Sequence, residues 1–245
     1  MGEQKKRIEI IDALRGFSVV LMVIHHFFYD LVYFLDVPGI EVPEWLFSNP
    51  VFDVLHYIFA GLFIFLSGVS SRFSRGNVRR GLITLAFAAG ISAVTYLMDV
   101  PIWFGVLHLL GFSMLFFGLT KKFWDIIPRK VSPVLFILFI VASSLAKSNV
   151  ELSAKNSVFG TFLSILGWPQ PGFHSDDYFP LLPWIFVFLL GAWAGHYIVE
   201  RKLPKRFYEA EFPVFPAIGR KSLLIYILHQ PVLYGLVMGV NYLFQ

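Results

Sequence analysis

Apolar residues are gathered in long runs along this chain rather than alternating with polar ones. Seven segments contain no Asp, Glu, Lys or Arg: residues 16–29, 54–71, 81–98, 100–120, 131–146, 178–199 and 222–245. Because a helix needs about 20 apolar residues to cross the hydrocarbon core of a bilayer, such runs predict membrane-spanning helices. We place these helices near residues 10–35, 52–73, 78–98, 100–120, 131–147, 178–200 and 220–243.

The fold class that follows is all-α, a polytopic membrane bundle of about seven transmembrane helices. Seven spans leave no room for a second domain, so residues 1–245 are interpreted as a single domain. The span near 131–147 is the shortest of the seven. Residues 157–168 are apolar but too few to cross a bilayer, and we interpret them as an interfacial or re-entrant segment.

Composition agrees with a membrane protein and excludes some chemistry. The chain is 57% hydrophobic and only 15% charged, with a mean hydropathy of +0.69, whereas soluble proteins are about 25% charged. It contains no cysteine, which excludes disulfides, thiolate nucleophiles and Cys-ligated metals.

The distribution of positive charge predicts the orientation. If the N-terminus is cytoplasmic, eighteen of the twenty Lys and Arg residues fall inside, and only Lys147 and Lys155 fall outside. This is the asymmetry of the positive-inside rule, so the C-terminus is expected outside the cell membrane. The net charge of +4 therefore does not indicate a nucleic-acid partner. Lys5, Lys6 and Arg7 precede a first helix that we interpret as retained, since no small-residue cleavage site follows it.

Ionisable residues inside a bilayer are costly and are candidates for function. At 100° per residue, one stripe of about 60° on the first helix collects five polar residues, namely Asp12, Arg15, His26, Asp30 and Tyr33. His26 lies roughly 24 Å beyond Ile10, in the outer half of the bilayer. A carboxylate one turn away at Asp30 can orient the imidazole and raise its basicity, as general-base chemistry requires. His25 is rotated about 100° off the stripe and is interpreted as structural.

Three further histidines in the predicted spans are candidates for function. His56 is near the outer start of the second helix, and His108 is about eight residues into the fourth. Their depths match that of His26, so we expect the three to share an outer cavity. His229 falls in the inner half of the last helix, before Pro231. Each histidine could instead be an interhelical strut, and the arginines at 72, 75, 79 and 80 could either enforce topology or bind a polyphosphate.

Four ordered motifs carry a resemblance to a known family. They are Asp12-x-Leu-Arg-Gly16 with His26 and Tyr29-Asp-Leu31; Phe104 to Gly111; Asp177 to Trp184 with Phe188-Leu-Leu-Gly191; and Gly219 to Pro231. Together they resemble the prokaryotic branch of the heparan-α-glucosaminide N-acetyltransferase catalytic-domain family. The resemblance extends from about residue 7 to 240.

The resemblance implies acetyl transfer across the membrane, from cytoplasmic acetyl-CoA to an amine or hydroxyl of a sugar-like acceptor on the far side. In related O-acetylating enzymes the histidine equivalent to His26 is the proposed catalytic residue, and we add Asp30, His56 and His108 as catalytic candidates from their positions in the predicted spans. Contacts to acetyl-CoA are expected from Arg15, Arg72, Arg79, Arg80 and His229, and no metal is expected. In the lysosomal enzyme the essential histidine follows this first helix, whereas residues 27–55 here contain none. We therefore carry over the donor and the buried histidine site but not an acetyl-histidine intermediate.

Two other functions fit the same residues. One is a non-enzymatic transporter or channel that uses the histidines as a proton relay, against which the absence of an internal repeat counts mildly. The other is a hydrolase with zinc bound by His26, His56 and His108, which requires those side chains to converge. The expected partners are the lipid bilayer and a small-molecule or glycan acceptor, and a homo-oligomer stays open.

Overall fold

The computed structural model describes residues 8–47, 49–148 and 158–244. The basic residues Lys5, Lys6, Arg7 and Lys155, which the orientation argument used, lie outside the described residues. The described chain is helical, apart from one isolated bridge between Val37 and Ile40 and the connecting loops.

The described residues form ten α-helices and one 3₁₀ turn (Glu44–Leu46). In chain order the helices are α1 (Glu9–Phe34), α2 (Pro50–Phe73), α3 (Asn77–Leu97), α4 (Val106–Ile126), α5 (Ser132–Ser148), α6 (Val158–Leu166), α7 (Leu181–Val199), α8 (Lys205–Glu209), α9 (Phe215–Arg220) and α10 (Ser222–Phe244). Among the described residues six are long and apolar enough to cross a membrane: α1, α2, α3, α4, α7 and α10.

The predicted all-α, multi-pass membrane architecture is therefore confirmed for six spans. The helix α5 forms where the fifth span was predicted, but at 17 residues it is a shorter apolar helix. The helix α6 lies within the apolar segment 157–168 and has nine residues. The orientation of the chain, a spanning role for α5 and an interfacial position for α6 stay predictions.

The start of α4 differs from the prediction by six residues, because a tertiary contact caps it. The apolar run begins at residue 100, but the helix begins at Val106. The backbone N–H of Val106 donates to Oδ2 of Asp177 (3.1 Å), and the N–H of Phe179 donates to the carbonyl of Phe104 (3.0 Å). Consequently His108 is the third residue of α4, and its predicted depth of eight residues was wrong.

The last predicted helix, near residues 220–243, corresponds to α10, and a short helix that the sequence did not predict precedes it. The short helix α9 ends at Arg220, and α10 begins after Lys221. Here α9 crosses α1 at backbone contact, since a Cβ on Gly16 would overlap the carbonyl oxygen of Phe215, and one on Gly219 would overlap that of Asp12. Only glycine permits such an approach, so Gly219 of α9 lies against Gly16 of α1, and α10 begins shortly after this contact.

The chain forms two compact units. The first comprises Met1–Leu66 with Leu203–Gln245, and the second comprises Ser67–Lys202. In the first unit α1 packs against α9 and α10. In the second, α3 packs against α4 and α5 against α7. The interpretation of residues 1–245 as a single domain stays a prediction.

The second unit has close helix contacts and an aromatic core. A Cβ on Gly81 would lie 2.7 Å from the carbonyl oxygen of Gly111, so α3 and α4 approach through glycine. Phe117 and Phe188 have no exposed surface, and their rings meet edge to face at 6.2 Å. In the loop before α7, the hydroxyl of Tyr178 donates to a backbone carbonyl of α6, and burial raises the pKa of Tyr178 to about 12.

Candidate functional site

Four of the seven histidines lie side by side in the first unit. Ring centroids are 4.4 Å apart for His56 and His25, 5.7 Å for His25 and His26, and 4.9 Å for His26 and His229. We call this set the histidine row; α2, α1 and α10 each contribute to it. Four imidazoles in contact within apolar helices are costly to bury and point to function.

The ring nitrogens of His26 and His229 are fixed by their own helices. Nδ1 of His26 lies 3.0 Å from the carbonyl oxygen of Met22, and Nδ1 of His229 lies 2.7 Å from that of Tyr226. Because a carbonyl oxygen can only accept, Nδ1 is the donor in both rings. In the neutral ring the lone pair is then on Nε2, which is the atom a general base uses.

Asp30 is held by a different partner than the one expected. Its side chain has no exposed surface, and Oδ1 accepts a hydrogen bond from Nε2 of Gln230 at 2.7 Å. Oδ2 has no hydrogen-bond partner among the residues that the structure describes. The expectation that this carboxylate orients His26 was wrong, since the Met22 carbonyl does so.

Two histidines have neighbours that the sequence did not predict. His25 was interpreted as structural because it lies off the stripe of α1; its ring lies between His26 and His56 and also contacts Phe47 at 4.8 Å, and its role is not tested. His229 and His26 were expected at different depths, but the contact between their rings places them at the same level. The physical reason is that Gly219 lies against Gly16, and each histidine follows its glycine by ten residues.

His108 belongs to the second unit, and both of its ring nitrogens are engaged. The backbone N–H of Gly105 donates to Nδ1 (3.2 Å), which leaves the proton on Nε2. That Nε2 lies 3.3 Å from Oγ of Ser92, and the Ser92 hydroxyl itself donates to the carbonyl of Ile102. This is a helix-capping arrangement with no lone pair left for a base. These contacts favour a structural role for His108 over the predicted catalytic one, and neither role, nor convergence with the histidine row, is tested.

The second unit contains a cavity of about 250 Å³. Cationic and aromatic side chains share its lining, which includes Arg72, Arg129, His196, Trp124, Trp193 and Phe136. The guanidinium of Arg72 is buried; its Nε donates to the carbonyl of Ala192 (3.1 Å), and its Nη1 donates to Asp125 (2.7 Å). Nε2 of His196 is 3.3 Å from the same carboxylate. We call this the arginine cavity.

Arg129 adds a second cation to the arginine cavity. Its Nη1 lies 2.6 Å from Oε1 of Glu200, and Lys202 lies 2.8 Å from Oε2. Hydrogen bonds from Lys202 and Arg129 lower the pKa of Glu200 below its usual range. The sequence reasoning missed Arg129 and His196. Asp125 could have indicated these partners, because it is the one acidic residue between positions 100 and 150.

The other predicted donor-site arginines are placed differently. Arg15, in the first unit, is 3.1 Å from Asp12 on the preceding turn. Arg79 and Arg80 are exposed in the first turn of α3, after the short turn that follows Arg72. Among residues 8–47, 49–148 and 158–244, no group of three or more His, Asp or Glu side chains is arranged to hold a metal ion.

Comparison with known protein families shows which family the chain belongs to. Residues 7–231 match the family described as Heparan-alpha-glucosaminide N-acetyltransferase, catalytic. The chain belongs to this family. The match contains the whole histidine row and the arginine cavity, and it ends two residues after His229. The family consists of acetyl-CoA-dependent transmembrane acetyltransferase domains. No curated protein and no solved structure matches the chain.

Proposed function

We propose that this protein acetylates an amine or hydroxyl of a sugar-like acceptor outside the cytoplasm, with cytoplasmic acetyl-CoA as donor, in the cell membrane. The observation that carries the proposal is His26, whose Nδ1 donates to the Met22 carbonyl and whose Nε2 therefore keeps its lone pair. This base lies in a helix long enough to cross the bilayer, within a chain of the acetyltransferase family.

The chemistry needs one base and no further co-reactant. Nε2 of His26 takes the proton of the acceptor N–H or O–H while the acceptor atom attacks the thioester carbonyl. The C–S bond then breaks, and the proton moves from the imidazolium to the departing sulfur, so that the products are the acetylated acceptor and CoA. Positioned general bases contribute typically about 10²–10⁴-fold to a rate. The contacts of His229 and His25 with His26 support the same site, and we keep His56 and Asp30 as its further members.

The donor phosphates are proposed to bind among the arginines. The arginine cavity supports this, because guanidinium groups suit phosphate oxygens and aromatic rings suit a flat adenine. Arg72 is already paired with Asp125, so we propose that the new phosphate contacts come from Arg79 and Arg80, which are exposed and lie outside the lining of the cavity. Arg15 is kept as a proposed contact on the strength of the sequence.

The test of the donor site is acetyl-CoA binding to purified protein in detergent. Arg79→Ala and Arg80→Ala are expected to weaken binding and to reduce its dependence on salt, because ion pairs with phosphates are screened. Lys205→Ala is the matched control, since Lys205 is an exposed cation that pairs with Glu209. Absence of acetyl-CoA binding by the unaltered protein contradicts the proposed function. Unchanged affinity in all arginine variants removes only the proposed donor site.

The histidine row also favours a second candidate, the proton-relay transporter. Four imidazoles from three helices are in ring contact, as a relay requires. Proteoliposomes distinguish the two functions. Proton flux without acetyl-CoA, abolished by His25→Ala, would favour the transporter, whereas acetylation of an enclosed amine would favour the acetyltransferase.

A further inference from the structure

The contact between Asp30 and Gln230 leaves two buried acceptor atoms unused. Oδ1 of Asp30 accepts from Nε2 of Gln230, but Oδ2 of Asp30 and Oε1 of Gln230 are buried and have no hydrogen-bond partner among the described residues. Buried polar atoms are nearly always satisfied, because leaving one unpaired costs free energy. Two unused acceptors in one contact therefore indicate a missing donor.

Another buried amide on α10 has a hydrogen bond at each of its two polar atoms. Asn241 of α10 donates through Nδ2 to the carbonyl of Phe34 (2.8 Å) and accepts through Oδ1 from the N–H of Asp36 (2.9 Å). Packing in this region can thus provide partners for both the oxygen and the nitrogen of a structural amide. Gln230 differs from Asn241, because its nitrogen has a partner and its oxygen has none among the described residues.

The position of this contact connects it with the proposed chemistry. Gln230 follows His229 directly, and Asp30 lies one helical turn after His26. The rings of those two histidines are 4.9 Å apart. The unused acceptors therefore belong to residues that neighbour His26 and His229 on their two helices.

We propose that Asp30 and Gln230 form the subsite that positions the acceptor, with Gln230 as a positioning residue. Oδ2 of Asp30 and Oε1 of Gln230 accept hydrogen bonds from the N–H or O–H groups of the acceptor, and this orients the reacting nitrogen or oxygen toward Nε2 of His26. The subsite takes molecules with at least two neighbouring hydrogen-bond donors, such as an amino sugar or a sugar diol. This inference rests on the proposed function.

The experiment separates acceptor binding from donor binding. Steady-state acetylation of glucosamine and of glucose is measured with the full chain, together with equilibrium binding of each sugar and of acetyl-CoA. Gln230→Met, which keeps the side-chain length and removes both polar atoms, is expected to raise the acceptor KM about tenfold, the loss that one hydrogen bond to a substrate gives. The affinity for acetyl-CoA is expected to stay unchanged.

Two further variants keep the test independent of folding. Gln230→Met leaves Asp30 without its donor, so Asp30→Leu combined with Gln230→Met removes both partners and is expected to fold while also losing acceptor affinity. Asn241→Ala is the matched control on the same helix. It is expected to lower the melting temperature and to leave the acceptor KM unchanged, as a structural amide would.

The outcomes separate this inference from the proposed function. Acetylation with an acceptor KM that Gln230→Met and the double variant leave unchanged overturns the subsite and leaves the acetyltransferase in place. Sugar binding that depends on Gln230 without any acetyl transfer supports the subsite and removes the proposed function. Absence of saturable binding of either sugar overturns the subsite, since the unused acceptors would then hold water. A larger effect with glucosamine than with glucose assigns the acceptor group to an amine.

Discussion

A neutral imidazole can take up a proton only where one ring nitrogen keeps its lone pair, and backbone partners decide this at both His26 and His108. At His26 a carbonyl accepts from Nδ1, so Nε2 stays basic. At His108 a backbone N–H donates to Nδ1, and Nε2 is then a donor beside Ser92. His26 can therefore accept a proton at Nε2, whereas both ring nitrogens of His108 are engaged in contacts within the protein. Substitution of each histidine tests this difference.

At His26 we expect substitution by Ala to remove acetyl transfer while the fold persists. The change removes both the lone pair and the proton, so the rate should fall by about 10²–10⁴-fold. An interhelical strut would instead contribute roughly 0.6–2 kcal/mol to stability, and activity would fall only with the folded fraction. Turnover and melting temperature are measured side by side. His174→Ala, at an exposed loop histidine paired with Asp176, is the matched control and should change neither. A His26→Ala protein that melts early yet retains turnover would refute the assignment.

At His108 we expect the reverse result. Substitution by Ala removes the acceptor for the Gly105 N–H and the contact with Ser92, so stability should fall by about 0.5–2 kcal/mol, as for the loss of a helix cap. Turnover per folded molecule should stay close to that of the unaltered protein. Thermal unfolding and turnover near 10 °C test this. Loss of turnover at unchanged stability would restore the catalytic role that the sequence predicted for His108.

The sequence predicted which residue types matter in the first unit more reliably than it predicted their partners. Helical angles placed His26 and Asp30 on one face of α1, but Asp30 pairs with Gln230, two hundred positions away along the chain. His25 was excluded because a single-helix stripe takes no account of a ring that reaches a second helix, here His56 on α2. Contacts between helices distant in sequence set these partners, and periodicity carries no information about them.

At the scale of the element, apolar runs located the helices, and tertiary contacts set their ends. Six of the seven predicted spans agree with the observed helices to within three residues at either end. The exception is the fourth, whose start is set by Asp177, which caps Val106 from a loop 71 residues later. The α1–α9 crossing adds a short helix, α9, that the apolar runs did not predict.

The α1–α9 crossing is expected to tolerate no side chain at Gly16. Alanine normally stabilises a helix relative to glycine by up to about 1 kcal/mol, but a Cβ here would overlap the Phe215 carbonyl and lie 2.9 Å from the amide nitrogen of Gly219. Gly16→Ala should therefore destabilise the protein by about 1–3 kcal/mol, as overpacking does. Gly235→Ala in α10 is the control, since a Cβ there meets nothing within 4 Å, and it should be neutral or stabilising. Melting temperatures in one detergent compare the two, and equal shifts would contradict the packing.

For the whole molecule, charge rather than helix length supports seven spans. The 17 residues of α5 extend about 26 Å at ~1.5 Å per residue, slightly less than the ~30 Å of a hydrocarbon core. Local thinning of the bilayer accommodates such a mismatch at modest cost. If α5 did not span, the six cations between Arg201 and Lys221 would move to the outer side, against the positive-inside rule. The positive charges in the cytoplasmic loops thus predict that α5 crosses the membrane.

Single-cysteine labelling tests this topology, because the chain has no cysteine of its own. With seven spans and a cytoplasmic N-terminus, Lys205→Cys is inside and Tyr242→Cys is outside; both side chains are 85% exposed. With six spans, Lys205→Cys is outside and Tyr242→Cys is inside. Trp45→Cys, in the loop between α1 and α2, is outside in either arrangement and serves as the control.

Intact cells are treated with a membrane-impermeant maleimide, and the labelled fraction of each variant is compared before and after permeabilisation. We expect Tyr242→Cys and Trp45→Cys to react in intact cells, and Lys205→Cys to react only after permeabilisation. Labelling of Lys205→Cys in intact cells, with protection of Tyr242→Cys, would show that α5 does not cross. The arginine cavity, lined by Arg129 just before α5 and by His196 near the end of α7, could then not have both of these elements on the cytoplasmic side, and the proposed donor site would have to be abandoned.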